Sequence, residues 1–98
     1  MQVKPVDYAK VKHMPEISRF LGIVVFMNFN EHPPPHFHVK YGSYHITVDI
    51  KTGVIEGNFP KRALGLVLEW YGLYKDELLE NWYSLRESGE FQKVQPLE

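Results

Sequence analysis

Hydrophobic and polar residues alternate strictly from residue 36 to residue 50, where HFHVKY and YHITVDI flank the pair Gly42-Ser43. A period of two is typical of a strand with one buried face, and a glycine-first two-residue loop favours a type II′ turn. The pattern therefore predicts an antiparallel hairpin. Its predicted core face holds Phe37, Val39, Tyr41, Tyr44, Ile46, Val48 and Ile50, and its predicted polar face holds His36, His38, Lys40, His45, Thr47 and Asp49.

Two further runs extend the predicted sheet. The β-branched and aromatic run from Arg19 to Asn30, RFLGIVVFMNFN, predicts one strand. After the glycine-ended turn of residues 51–53, the residues VIEGN at 54–58 predict a short strand. The first run is apolar on both faces, and one helix covers only one of them. One predicted face holds Leu21, Ile23, Val25 and Met27, and the other holds Phe20, Val24 and Phe26. The other face needs a second cover, and we expect a homo-oligomer, a small partner protein or the segment of residues 1–13.

A helical period replaces the alternation after Pro60, a residue tolerated in the first turn of a helix. Gly65 and Gly72 interrupt this segment, each at a cost of about 1 kcal/mol relative to alanine. One long helix with a kink and two successive helices both fit, and we favour the single kinked helix. The predicted apolar stripe consists of Leu64, Val67, Leu68, Tyr71, Leu78, Trp82 and Leu85.

The order of elements predicts an α+β domain, in which a small antiparallel sheet of three or four strands packs one face against a long C-terminal helix. The domain is expected at residues 14–88, with an arm at 1–13 and a tail at 89–98. The chain has 98 residues, 44% of them apolar, and a net charge of −1, which gives no overall attraction to nucleic acid or membrane. We expect a cytoplasmic protein without a membrane anchor, because the apolar run Leu21 to Met27 is too short to span a bilayer.

The absence of cysteine excludes disulfides and thiolate metal sites, so imidazole and carboxylate groups are the strong candidates for chemistry. The segment NEHPPPHFHVK, residues 30–40, holds three histidines. His36 and His38 lie two apart on the predicted strand, with α-carbons roughly 6.6 to 6.8 Å apart on one face. If Tyr41 pairs with Tyr44, Asp49 falls opposite His36. We predict His36 and His38 as catalytic acid and base without a cofactor, with Asp49 orienting an imidazole.

Four residues border this predicted site and are candidates for substrate binding. His32 is expected roughly 12 Å from His36 if the prolines form a polyproline helix, and His45 shares the polar face. Lys61 and Arg62 lie at the predicted helix start, where the helix dipole disfavours cations, so their placement invites a phosphate contact. This constellation is compatible with RNA as a substrate.

Two other interpretations of the same residues stay open. His36, His38 and Asp49, with His45 as a substitute ligand, suit a divalent metal such as zinc or nickel. The polar face is equally compatible with an ordinary solvated sheet face that has no function. If both histidines face solvent, alanine at either position should change stability by no more than about 0.5 kcal/mol.

Several blocks of sequence carry a resemblance to a known family: MPEISRF, HPPPHFHV, DI-x-TG, PKRAL-x-LVLEW and DELLENW. From Met14 to Trp82 the chain resembles the bacterial domain-of-unknown-function family 4160. The resemblance implies a small prokaryotic protein without an established activity, often encoded beside another small protein in the manner of toxin and antitoxin pairs. We therefore expect a component of a two-protein module that acts on RNA through the histidine-rich segment, or through protein contacts or metal binding alone.

Overall fold

The computed structural model describes residues 15–98, and the predicted arm of residues 1–13 lies outside this range. Within it, five antiparallel strands lie side by side in chain order and one long helix follows them. The elements are β1 (Glu16–Phe20), β2 (Ile23–Phe26), β3 (His36–Tyr41), β4 (Tyr44–Asp49), β5 (Ile55–Asn58) and α1 (Lys61–Ser88). The predicted α+β class is confirmed, with five strands where three or four were expected.

The hairpin of residues 36–50 has the predicted register, with Tyr41 opposite Tyr44 and His36 opposite Asp49. Gly42 has a φ of 59°, as the first central position of a type II′ turn requires. Most of the predicted apolar face lies in the core, where Phe37 and Val39 are fully buried, but Tyr44 beside the turn is 45% exposed. The opposite face carries the histidines, as the alternation predicts.

The single strand predicted from Arg19 to Asn30 is wrong, because the chain reverses at Leu21-Gly22 and forms β1 and β2. Phe20 pairs with Ile23, and the two loop residues have φ values of 53° and 81°, as in a type I′ turn. Leucine rarely adopts a positive φ, so the apolar run concealed the turn. The reversal puts Phe20 with Ile23 on the core face, while Leu21 is 68% exposed at the tip.

Helix α1 begins at Lys61, with Pro60 as its N-cap residue, and ends before Gly89. It continues through Gly65 and Gly72, and its non-helical residue is Tyr74, with φ −123° and ψ 24°. One kinked helix is therefore present, with the kink just after Gly72. Four residues of the predicted stripe are buried, namely Val67, Leu78, Trp82 and Leu85. Trp70, which the predicted stripe omitted, is fully buried as well. Among the described residues, no helix combines the length and the apolar character needed to cross a membrane.

The segment after the helix, predicted as a tail, packs along β1 and α1. The backbone N–H of Val94 donates to the carbonyl of Ile17 at 2.9 Å, which covers the free edge of β1. Trp70 Nε1 donates to the carbonyl of Gln95 at 2.8 Å, and this bond satisfies the indole of a fully buried side chain. Asn81, buried within α1, exchanges two 2.8 Å hydrogen bonds with the backbone of this segment at residue 92.

Candidate functional site

Two histidines and one glutamate meet on the sheet face that points away from the core. His36 and His38 alternate along β3, and the loop of residues 27–35 returns over them and brings in Glu31. Glu31 Oε1 lies 2.9 Å from His36 Nε2 and also contacts His38 Nε2. Each side chain offers one atom that could bind a metal, and these three atoms all lie within 4.8 Å of one another. The three side chains, called the Glu31 cluster below, therefore converge on one point.

The second ring nitrogen of each histidine has a partner of its own. His36 Nδ1 lies 2.8 Å from the carbonyl oxygen of Pro34, which only accepts, so this nitrogen donates. His38 Nδ1 lies 3.0 Å from Nε2 of His45, on the neighbouring strand β4. These contacts fix the orientation of both rings, and both Nε2 atoms point at Glu31.

Aromatic rings pack against both histidines of the cluster. The His38 ring stacks on Phe26 with centroids 5.0 Å apart and planes 12° apart, and the His36 ring lies 5.2 Å from Trp82. The side chains of His36 and His38 are only 19% and 12% exposed. The condition that both histidines face solvent is therefore not met, and the small effect on stability that depended on it does not apply.

The same stacking covers part of the second apolar face of β2. Phe26 was expected there as part of a patch in need of a cover, and it is only 5% exposed. His38 and His45 stack on it at 5.0 and 6.1 Å. Phe20, also expected on this face, lies in the core instead. The described chain thus covers part of the surface on which the expectation of a partner rested.

The far half of helix α1 holds the loop that carries Glu31. Arg86 Nη1 donates to the backbone carbonyl of Glu31, and its guanidinium carbon lies 5.5 Å from the centre of the Trp82 ring. A cation over an indole face is a favourable arrangement. Because Trp82 also contacts His36, the end of α1 positions both the glutamate loop and one imidazole.

Electrostatics favour an ionised glutamate in this cluster. Burial by itself raises the pKa of Glu31, but hydrogen bonds and positive charge from His38 and His36 outweigh it, and the net pKa lies below the ordinary value. Burial lowers the pKa of His45, and the charges of His38 and Lys40 lower it further. The arrangement therefore presents one anionic oxygen beside two imidazole nitrogens.

Asp49 occupies its predicted register but not its predicted role. Its Oδ1 accepts the backbone N–H groups of Lys51 and Thr52 at 2.8 and 2.9 Å, which caps the turn between β4 and β5. The bond from Thr52 is the main cause that lowers the pKa of the Asp49 carboxyl. The predicted convergence of Asp49 with the histidines is thus corrected, because the carboxylate that meets them is Glu31. Sequence reasoning missed Glu31 because no local pattern indicates where a proline-rich loop will fold.

His32 and His36 line a common groove of about 280 Å³ beside the cluster. Asp49 and Glu56 also line it, so its polar lining carries two carboxyl groups. The peptide bond between Pro33 and Pro34 is cis. His32 is exposed at the border of the site, as its predicted place required.

Lys61 and Arg62 lie apart from the histidines. Both are exposed at the start of α1, and Arg62 lines a pocket with Leu21 and Tyr41. Tyr41 ends the strand that His36 begins, which is a separation of about 17 Å along a six-residue strand. The structure therefore does not bring these cations together with the imidazoles, and RNA as a substrate stays a prediction.

Comparison with known proteins returns one family. Residues 22–83 match the family described as Domain of unknown function (DUF4160), a stretch that covers β2 to β5, the Glu31 cluster and most of α1. No curated protein and no solved structure matches the chain.

Proposed function

The chain belongs to the DUF4160 family, and we propose that it binds one divalent transition-metal ion through Glu31, His36 and His38. The observation that carries this proposal is the convergence of both Nε2 atoms on a single Glu31 oxygen. An ion at this point takes the place of the protons that otherwise bridge the three groups. Imidazole nitrogen and carboxylate oxygen together suit first-row divalent ions such as zinc and nickel.

The outer contacts of the histidines support a metal site. Histidines that bind a metal usually donate their other ring N–H to a carbonyl, a carboxylate or water, which fixes the ring and raises its basicity. His36 has this contact through Nδ1 and the Pro34 carbonyl, and His38 has the corresponding contact with His45. Arg86 in turn holds the backbone of Glu31. All three proposed ligands are therefore oriented before an ion arrives.

The hydrogen bonds of His36 require a positive charge, either a proton or a metal ion, between its Nε2 and Glu31. His36 Nδ1 must donate to Pro34, so a neutral His36 has a lone pair at Nε2, only 2.9 Å from Glu31 Oε1. A lone pair facing an ionised carboxylate is repulsive unless a proton or a cation lies between them. A metal ion removes this conflict without a charged imidazole, and it neutralises Glu31.

Calorimetric titration of the metal-free protein with Zn²⁺ and Ni²⁺ tests the proposal. We expect binding of one ion per chain and a rise in melting temperature, since ligand at 100 times Kd stabilises a fold by about 2.7 kcal/mol. Ni²⁺ should quench Trp82, whose ring lies 5.2 Å from that of His36. Trp70, about 18 Å away along the helix, should keep its emission.

Variants separate this site from adventitious binding at surface histidines. His36→Ala and His38→Ala should each weaken binding by about 100-fold or more, because each removes a direct ligand and outer partners alone account for 10- to 100-fold. Glu31→Gln keeps an oxygen at this position but removes its negative charge, and it should also weaken binding. His32→Ala is the matched control, since His32 lines the groove but lies outside the Glu31 cluster. Equal losses in His32→Ala and Glu31→Gln, or no binding at one equivalent, would reject the proposal.

The cellular role stays a prediction from the family resemblance. We retain the expectation that the protein is one component of a two-protein module of the toxin and antitoxin type, in a homo-oligomer or with a small partner. Copurification from native cells followed by mass spectrometry tests this role. Recovery of the chain alone, as a monomer at micromolar concentration, would argue against it.

A further inference from the structure

We infer that Asn28 supplies a fourth ligand to this ion through its amide oxygen, an inference that rests on the proposed metal site. Asn28 follows β2 in the loop over the cluster, and its Nδ2 lies 3.5 Å from His38 Nε2. That imidazole nitrogen is also the one that contacts Glu31 Oε1. One ring nitrogen therefore faces an amide and a carboxylate at the same time.

These two neighbours make incompatible demands on His38 Nε2. The amide nitrogen of Asn28 only donates, whereas an ionised Glu31 oxygen only accepts. A ring nitrogen carries either a hydrogen or a lone pair, so it satisfies one neighbour and opposes the other. A half-turn of the amide exchanges Nδ2 for Oδ1, which is nearly identical in size and shape. After that exchange, Asn28 offers a lone pair to the position that Glu31 and the histidines surround.

The backbone supports this placement of Asn28. Phe26 pairs with His38 across β2 and β3, and the Met27 N–H donates to the Pro15 carbonyl at 3.1 Å, which extends the strand direction past Phe26. Two residues beyond Phe26 the chain again faces the histidine side, at the level of His36. Asn28 is half-buried there, so its amide is only partly solvated.

Two of the ligand-atom separations are close to those of a metal polyhedron, and the third, between Glu31 and His38, is shorter and has to lengthen when an ion binds. Ligand atoms about 2.1 Å from an ion lie about 3.4 Å apart in a tetrahedron and about 3.0 Å apart in an octahedron. The separations are 3.5 Å from Asn28 to His38 and 2.9 Å from His36 to Glu31. Four protein ligands fill a tetrahedral ion, so this inference assigns a closed, structural type of site rather than one with an open position for a substrate.

Cobalt substitution with variants at position 28 tests the inference. The wild type loaded with Co²⁺ should show the strong visible bands of a four-coordinate ion, unchanged by azide. Asn28→Ala should weaken Co²⁺ binding at least 10-fold and open a position that azide occupies, with a change in the spectrum. Asn28→Asp retains an oxygen ligand and should bind at least as tightly as the wild type. The melting temperature of each metal-free variant controls for folding.

Three results would overturn the inference about Asn28, and they can be told apart. If the wild type and Asn28→Ala bind Co²⁺ equally, with the same spectrum and the same response to azide, Asn28 is not a ligand and the three-ligand site stands. If Asn28→Ala weakens binding but the spectrum stays constant and Asn28→Asp does not restore affinity, Asn28 acts only on His38, which also overturns the inference. Absence of binding to the wild type rejects the proposed metal site together with this inference.

Discussion

The two faces of the sheet bury their side chains by different physical means. On the helix side, Phe37, Val39, Ile46 and Val48 are at most 1% exposed and need only apolar neighbours of suitable shape. On the other side, the His36 and His38 side chains are largely covered, at 19% and 12% exposure, but each ring nitrogen also needs a polar partner. Burial on the first face therefore follows from hydrophobicity, whereas burial on the second depends on a specific set of hydrogen-bonding groups.

The largest expected effect comes from the helix-side core. Phe37→Ala should reduce the free energy of unfolding by about 3–5 kcal/mol, because it leaves a cavity between β3 and α1. The Phe37 ring packs 5.9 Å from Trp70 and 6.0 Å from Tyr71. Urea denaturation with tryptophan fluorescence measures the change. A loss below about 1 kcal/mol would mean that this face is less tightly packed than the structure indicates.

A smaller effect is expected on the histidine face. In the metal-free protein, His38→Ala should cost about 1–2 kcal/mol, because it removes the stack on Phe26 and the polar contacts with Glu31, His45 and Asn28. The exposed His32 is the matched control, and His32→Ala should stay within about 0.5 kcal/mol of the wild type. Equal values for the two variants would show that the second face behaves as an ordinary solvated surface.

The turn at Leu21-Gly22 places Phe20 on the helix face. It holds Leu21 in a backbone conformation that is unfavourable for leucine, and a substitution at this position can relieve that cost. Leu21 has a φ of 53° and is 68% exposed, so its side chain contributes little packing in exchange. Leu21→Asn should raise the free energy of unfolding by about 0.5–1 kcal/mol, since asparagine tolerates this conformation far better. Leu21→Val should have the opposite sign, because β-branched residues are disfavoured there. Thermal unfolding of both variants tests the prediction, and a shift in the same direction would contradict it.

The smallest effect is expected at Asp49, and it depends on pH. The folded state lowers the pKa of this carboxyl through hydrogen bonds from Thr52 and Lys51, so it stabilises the fold above the ordinary aspartate pKa. This contribution is lost as the pH falls through the folded-state value. Asp49→Ala should therefore lower the melting temperature at neutral pH, and the difference from the wild type should shrink as the pH falls below the ordinary aspartate pKa. A pH-independent difference would show that the charge on the carboxylate is not what stabilises the turn.

Much of the scaffold was accessible from the sequence, because its signals are local. The alternation at residues 36–50 and the glycine at position 42 determine a hairpin, its register and the face on which each side chain lies. The helical period after Pro60 determines a long helix over the apolar face. The β1–β2 hairpin was missed because Leu21 occupies a position where turn residues are expected, and a continuous apolar run then resembles one strand.

The sequence by itself thus determined that His36 and His38 share a face, since a period of two depends only on neighbouring residues. Only the tertiary structure decided which carboxylate joins them. Glu31 reaches the imidazoles because Arg86, 55 residues later in the chain, donates to its backbone carbonyl. Asp49 does not join them, because its Oδ1 accepts the backbone N–H groups of a turn. The Arg86 contact joins segments that are distant along the chain, so no local pattern of residues encodes it, whereas the Asp49 cap is a local contact within residues 49–52.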